Sequence, residues 1–155
     1  MPPKVSALDE GKKSVRLTDT ERKLLGISSQ DDDDDDVYAH VGLKYYNPSV
    51  ECFSEWDKSE LRGFSGFIQQ VNGRTWAMIY KSAGRARDKL GNGLAYTPHK
   101  KPEKLPGYKE LIGQINEDIT FFELRVTGEA RVHGFRALST FFLVCLDKDH
   151  RFHPM

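Results

Sequence analysis

Residues 119–153 read ITFFELRVTGEARVHGFRALSTFFLVCLDKDHRFH, and their punctuation decides the fold. Thr127, Gly128 and Glu129 break an apolar, β-branched and aromatic pattern in the way turn residues separate two strands. Ala137 to Ser139 break it again. Three antiparallel strands are predicted, over 119–126, 130–136 and 140–147. Side chains alternate along a strand, so Phe121, Glu123 and Arg125 share one face and Phe122, Leu124 and Val126 the other. Val132 parts from Arg131 and His133 in the same way. One face is apolar enough to lie under helices. The other, carrying Glu123, Arg125, Arg131 and His133, is expected to face solvent and to suit a phosphodiester.

Upstream, the helices that would cover the apolar face are legible. Asp57 and Glu60 stand as cap and closing residue of a capping box. Leu61, Phe64, Phe67, Ile68 and Val71 then recur at three-to-four spacing, the signature of a helix with one buried face. Gly73 ends it, and Thr75 caps a shorter helix with Trp76, Ile79 and Tyr80. A further strand is predicted over 45–53, and a short helix around Tyr108, Leu111, Ile112 and Ile115. The expected architecture is α+β: a helical hairpin packed on a twisted antiparallel β-sheet.

A chain of 155 residues with 38% hydrophobic content suits one domain with a tail. Residues 37–155 are assigned to the domain and residues 1–36 to an acidic, mostly disordered leader. Thr18 and Glu21 form a capping box for one short helix within it. The zero net charge conceals an asymmetry. The leader holds six basic and ten acidic side chains, the body seventeen and thirteen. Asp31 to Asp36 is an unbroken acidic run, read as a solvated spacer or as a mimic of a nucleic-acid backbone that shields the basic body. No apolar run approaches a membrane span, and the N-terminus lacks the apolar centre of a secretory signal. Cys52 and Cys145, both placed in predicted strands, read as buried free thiols suited to a reducing cytoplasm.

Three kinds of chemistry are open to these residues. A metal site would have His150 and His153, with Asp147 and Asp149 nearby, but no firmly placed third ligand. No serine or cysteine stands in an activating context. Metal-free phosphoryl transfer on RNA needs an acid, a base and cationic contacts to phosphate. Glu103, Arg125, Arg131, His133, Arg136, His150 and His153 supply that inventory. Lys101, Lys104 and Arg87, in a loop that also bears His99, add positive charge. The plainer alternative pairs Arg125 with Glu123 or Glu129 and leaves the histidines as surface residues. The glycines of this loop lack the lysine and hydroxyl of a phosphate-binding P-loop.

The run KKPEKLPGYKELIGQINEDITFFELRVTGEARVHGFR, followed by FFLVCLD and a histidine-bearing end, resembles the RelE/ParE toxin superfamily, its RelE and YoeB-like ribonucleases in particular. The likeness covers about residues 45–153. It rests on a Lys-Pro-Glu-like loop, an aromatic-x-Leu-Arg strand, a turn and a strand opening with arginine. The resemblance implies a metal-independent endoribonuclease toxin that cuts mRNA, often at the ribosome, and that a separately encoded antitoxin silences. It makes Arg131 the contact to the scissile phosphate, Glu103 the general base, His150 or His153 the general acid, and Arg125 a structural and phosphate-directed arginine. No cofactor is expected. A non-catalytic, ParE-like interaction module that binds gyrase or another protein is the alternative.

Overall fold

The computed structural model describes residues 18–25, 34–83, 93–116 and 118–152. The expectations for residues 1–17, for Asp31 to Asp33, for Arg87 and for His153 lie outside them. In the leader, α1 (Asp19–Leu25) starts at the expected box. The Glu21 amide donates to Thr18 Oγ1 at 3.1 Å, and the Thr18 amide to Glu21 Oε1 at 3.0 Å.

The domain is α+β, with helices packed on a five-stranded, mixed and mostly antiparallel open sheet. Its strands are β1 (His40–Gly42), β2 (Thr97–Pro98), β3 (Phe121–Arg125), β4 (Arg131–Ala137) and β5 (Thr140–Asp147), in the order β1-β5-β4-β3-β2. β1 runs parallel to β5, and the other pairs are antiparallel. α2 (Lys58–Asn72) opens at Asp57, whose carboxylate accepts the Glu60 amide at 2.8 Å while Glu60 returns the bond at 2.9 Å. α3 (Trp76–Lys81) is capped by Thr75. Phe67, Val71, Trp76 and Ile79 pack on Phe122, Leu124, Val132, Phe141, Leu143 and Leu146 to make the main core. Trp76 is fully buried, and its indole N–H donates to the Ser139 carbonyl at 2.9 Å.

The sequence reading is corrected in two places. Residues 45–53 form no strand. Asn47 Oδ1 accepts the Ser49 amide at 3.1 Å, a local side-chain turn that competes with extended pairing. Cys52 and Glu55 then cap a 3-10 turn, Phe53–Glu55, so Cys52 lies at a turn and not in a strand. The strand that pairs with β5 is instead β1, upstream, and it makes the sheet mixed. The other correction concerns the second sheet face, which is not simply solvent-facing. Leu105, Leu111, Phe121, Phe135 and Val144 form a further core there, under the 3-10 turn Pro102–Lys104 and α4 (Tyr108–Ile112). Phe135 is buried within it.

One irregularity arranges everything that follows. His133 pairs with Cys145 and Gly134 with Leu143, so Val144 is an extra residue on β5, a β-bulge. Without it, strict alternation would send Asp147 to the helix-covered face with Leu143 and Phe141. With it, Cys145 and Asp147 join Arg131 and His133 on the opposite face. Gly134 permits the close approach, since a Cβ there would stand 2.0 Å from the Phe142 carbonyl oxygen. No described helix is long and apolar enough to cross a membrane.

Candidate functional site

The second sheet face is apolar at one end and polar at the other, and the polar end is built around two buried carboxylates. Asp147 closes β5. Its Oδ2 takes His133 Nε2 at 2.8 Å and the Phe152 amide at 3.0 Å, and its Oδ1 takes the Arg151 amide at 2.6 Å. Burial alone would raise the Asp147 pKa, but those three donors outweigh it and hold the carboxyl below its ordinary value. The carboxylate is therefore ionised at neutral pH. His133 is fully buried, and its Nδ1 meets His99 Nε2 at 2.8 Å. The three side chains form a file, His99–His133–Asp147, that starts at a partly exposed ring and ends inside the sheet.

Glu123, on β3 opposite His133, is the second carboxylate. It binds Arg131 Nε at 3.1 Å and His150 Nε2 at 2.9 Å. Exposure grades outward, from 3% for the Glu123 side chain through 13% for Arg131 to 23% for His150. Arg131 Nη1 also donates to the carbonyls of Thr127, Gly128 and Ala130 at 3.1–3.2 Å, so the guanidinium staples the β3–β4 turn. Arg125 lies directly across from Arg131. Its burial, and then the neighbouring charge of Arg131, lower its pKa from the usual arginine value. Two guanidinium groups so placed repel, and an anion between them would relieve that repulsion. His150 has φ = 54°, in the left-handed region, which costs a non-glycine residue free energy and recurs at functional positions.

The tail that carries His150 is held by a third buried carboxylate, Glu51. It accepts the Trp56 indole N–H at 2.5 Å, the Lys148 amide at 2.9 Å and Arg151 Nη2 at 3.2 Å. Beside the tail, Phe152 packs its ring 6.0 Å from that of His133. It also helps to line a groove of about 720 Å³ with Tyr45, Tyr46, Leu111, Val144, Lys44, Glu110 and Arg151.

The expected site residues thus separate into groups. Arg125, Arg131 and His150 share one corner with Glu123. His133 lies in the same corner but is sealed from solvent, so it does not touch a substrate directly. Arg136 is on the other face, as its even position on β4 requires. There it lies over the Trp76 ring at 4.7 Å and binds Asp35 Oδ1 at 2.6 Å and Tyr80 Oη at 3.1 Å. The end of the acidic run therefore docks on Arg136, on the side of the sheet away from Glu123 and Asp147. Glu103, Lys101 and Lys104 are exposed around the 3-10 turn and take no part in the hydrogen-bonded cluster among the described residues. Sequence reasoning did not place His99, Asp147 or Glu51 in the site. His99 was visible only as a histidine in a basic loop.

Cys145 is His133's partner across the β4–β5 pair, which invites comparison with a cysteine–histidine nucleophile. Burial, then the nearby charges of Asp147 and Glu51, push its thiol up to about 12, where no useful thiolate exists at neutral pH. Among the described residues the corner therefore offers imidazoles, carboxylates and guanidinium groups, while its thiol stays protonated. No group of three or more His, Cys, Asp or Glu side chains is disposed to hold a metal ion among the described residues. Compared with known proteins, the chain matches no family model, no curated protein and no solved structure.

Proposed function

We propose that this protein is an endoribonuclease of the RelE type, a toxin that cuts mRNA at the ribosome and is silenced by an antitoxin protein. The single observation that carries the reading is Glu123 holding Arg131 and His150 about 3 Å from one carboxylate, at the partly exposed rim of a buried acid–base cluster. RNA suits a site of this kind because it brings its own nucleophile. The 2′-hydroxyl attacks the adjacent phosphate, and the protein needs only to move protons and to stabilise the negative charge on the phosphoryl oxygens. Arg131 and Arg125 supply fixed positive charge. His150, oriented by Glu123, is the proton donor to the leaving oxygen. The order of elements, a helical pair followed by three antiparallel strands, also supports a RelE-like fold with the helical hairpin on the sheet. Glu103 keeps a place in this reading only as a residue that substrate would have to bring inward.

The test is cleavage of mRNA by the purified full chain, with and without ribosomes, in excess EDTA. His150→Asn is the variant of choice, because asparagine tolerates the left-handed backbone that position 150 adopts. It is expected to fold and to lose about 10²–10⁴-fold in cleavage rate. Undiminished cleavage by the variant would remove His150 from the chemistry. A second reading has its own support: Arg131 Nη1 is occupied by three carbonyls, as in a structural staple. On that reading the domain is a ParE-like interaction module. Gyrase inhibition without RNA cleavage would select it.

A further inference from the structure

We propose that His99 is the general base of this site, and that His133 and Asp147 behind it are positioning residues that relay and hold its proton. The inference rests on the ribonuclease reading for its substrate and goes beyond it in naming a second proton-transfer group. Its grounds are geometric. His99 Nε2 to His133 Nδ1 and His133 Nε2 to Asp147 Oδ2 are both 2.8 Å, within direct hydrogen-bond range. The ionised Asp147 accepts only, so His133 carries a proton on Nε2, and in its neutral form it presents Nδ1 as an acceptor. His99 must then donate from Nε2, which makes its Nδ1 the basic atom. A lone buried histidine would end the chain at His133. Here the file continues to a ring that solvent reaches.

The relay has a defined proton balance. The RNA 2′-hydroxyl gives its proton to His99 Nδ1, and the His99 Nε2 proton passes to His133 Nδ1. The 2′-oxygen–phosphorus bond forms as the bond from phosphorus to the 5′-oxygen breaks. His150, entering as imidazolium, gives a proton to that leaving oxygen. The products are a 2′,3′-cyclic phosphate and a 5′-hydroxyl, and the protons on the two histidines re-equilibrate with solvent. In the intermediate state, the positive charge sits on His133 next to the ionised Asp147, a buried charge that is paired rather than isolated. His99 and His150 thus divide the work, each backed by its own buried carboxylate.

Several charged and titratable groups surround the file among the described residues. They are Glu123 on β3, Arg131 on β4, Cys145 on β5, His150 on the tail, and Lys100 and Lys101 next to His99. Cys145 stays neutral.

The test combines the pH dependence of RNA cleavage with nitrogen NMR of the histidine rings. In wild type the rate should follow a bell. His99→Gln should lose about 10²–10⁴-fold together with the rising, acidic-side limb, and His99→Gly should regain activity with added imidazole. Asp147→Asn should displace that same limb, an effect that loss of packing alone does not produce. In the unaltered protein, His99 and His133 should titrate together rather than separately. Wild-type cleavage with His99→Gln equally active, or with the two rings titrating independently, overturns the relay and leaves the ribonuclease reading standing. No cleavage by wild type at any pH, with or without ribosomes, brings down both.

Discussion

Two thiols separated by one turn of chemistry show how far environment sets reactivity in this chain. Cys145 lies in the middle of the sheet, and burial raises its thiol to about 12. Cys52 caps a 3-10 turn, where the Ser54 amide lies 3.5 Å from Sγ and hydrogen bonding from Ser54 lowers its pKa from the usual thiol value. Alkylation of the native protein at pH 7.5 should therefore label Cys52 well before Cys145. Mass spectrometry of digested, iodoacetamide-treated protein reads the order, and equal labelling would contradict the burial of β5. Asp147 gives a second residue-scale expectation. Its folded pKa is depressed below 3.8, so its contribution to stability is complete above that value and is lost as pH falls through the folded pKa. Urea midpoints measured from pH 6 down to pH 2 should drop for wild type. Asp147→Asn should be less stable at pH 6 by about 1–3 kcal/mol and should lose part of that pH dependence. A parallel decline in both proteins would mean that other carboxylates govern acid unfolding.

The β-bulge is the element on which the site depends. It changes the parity of β5 after Leu143 and thereby delivers Asp147 to His133. Gly134 makes room for it, and the contact a Cβ would make is with backbone, which cannot rotate away. Gly134→Ala should therefore cost about 3 kcal/mol or more, the upper end for an overpacked interior. Thermal melting checks this, and an unchanged midpoint would contradict the register around Val144. The bulge also explains what the sequence could and could not tell. β3, β4 and β5 were legible from their turns and periodicity, and α2 and α3 from capping residues and apolar spacing. β1 was not, because three residues, His40-Val41-Gly42, carry no periodic signal and pair in parallel with a partner far along the chain. Asp147 was named only beside the His150 and His153 pair and not with His133, because an inserted residue breaks the alternation on which face assignments rest. His99 and Glu51 were hidden for another reason. Their partners lie 34 and 97 residues away, and such long-range contacts follow from topology, not from local pattern. Arg136 shows the converse: it was counted with the phosphate-binding residues, although alternation from Val132 puts it on the helix-covered face.

Across the whole molecule, the sheet separates two environments. One face is sealed under α2 and α3. The other is half sealed by α4, and its remainder holds the buried carboxylates and the histidines. The acidic residues Asp34 and Asp35 attach to the first side, through Arg136 and α3. That position favours a tether over a cover for the opposite corner. Removing residues 1–33 should leave RNA affinity at low salt unchanged, as filter binding would read. A rise on truncation would restore a shielding role to the acidic run. A groove beside Phe152 has Tyr45, Lys44 and Arg151 around it.

The most direct measurement is the chemistry of the cut RNA end. Purified full-length protein, incubated with mRNA and ribosomes in excess EDTA, should leave 2′,3′-cyclic phosphate and 5′-hydroxyl termini. Glu123→Gln, which disconnects Arg131 from His150, should produce few or none. Intact RNA with wild type, or identical termini at the same rate from the variant, would contradict the assignment of this corner as the place where RNA is cleaved.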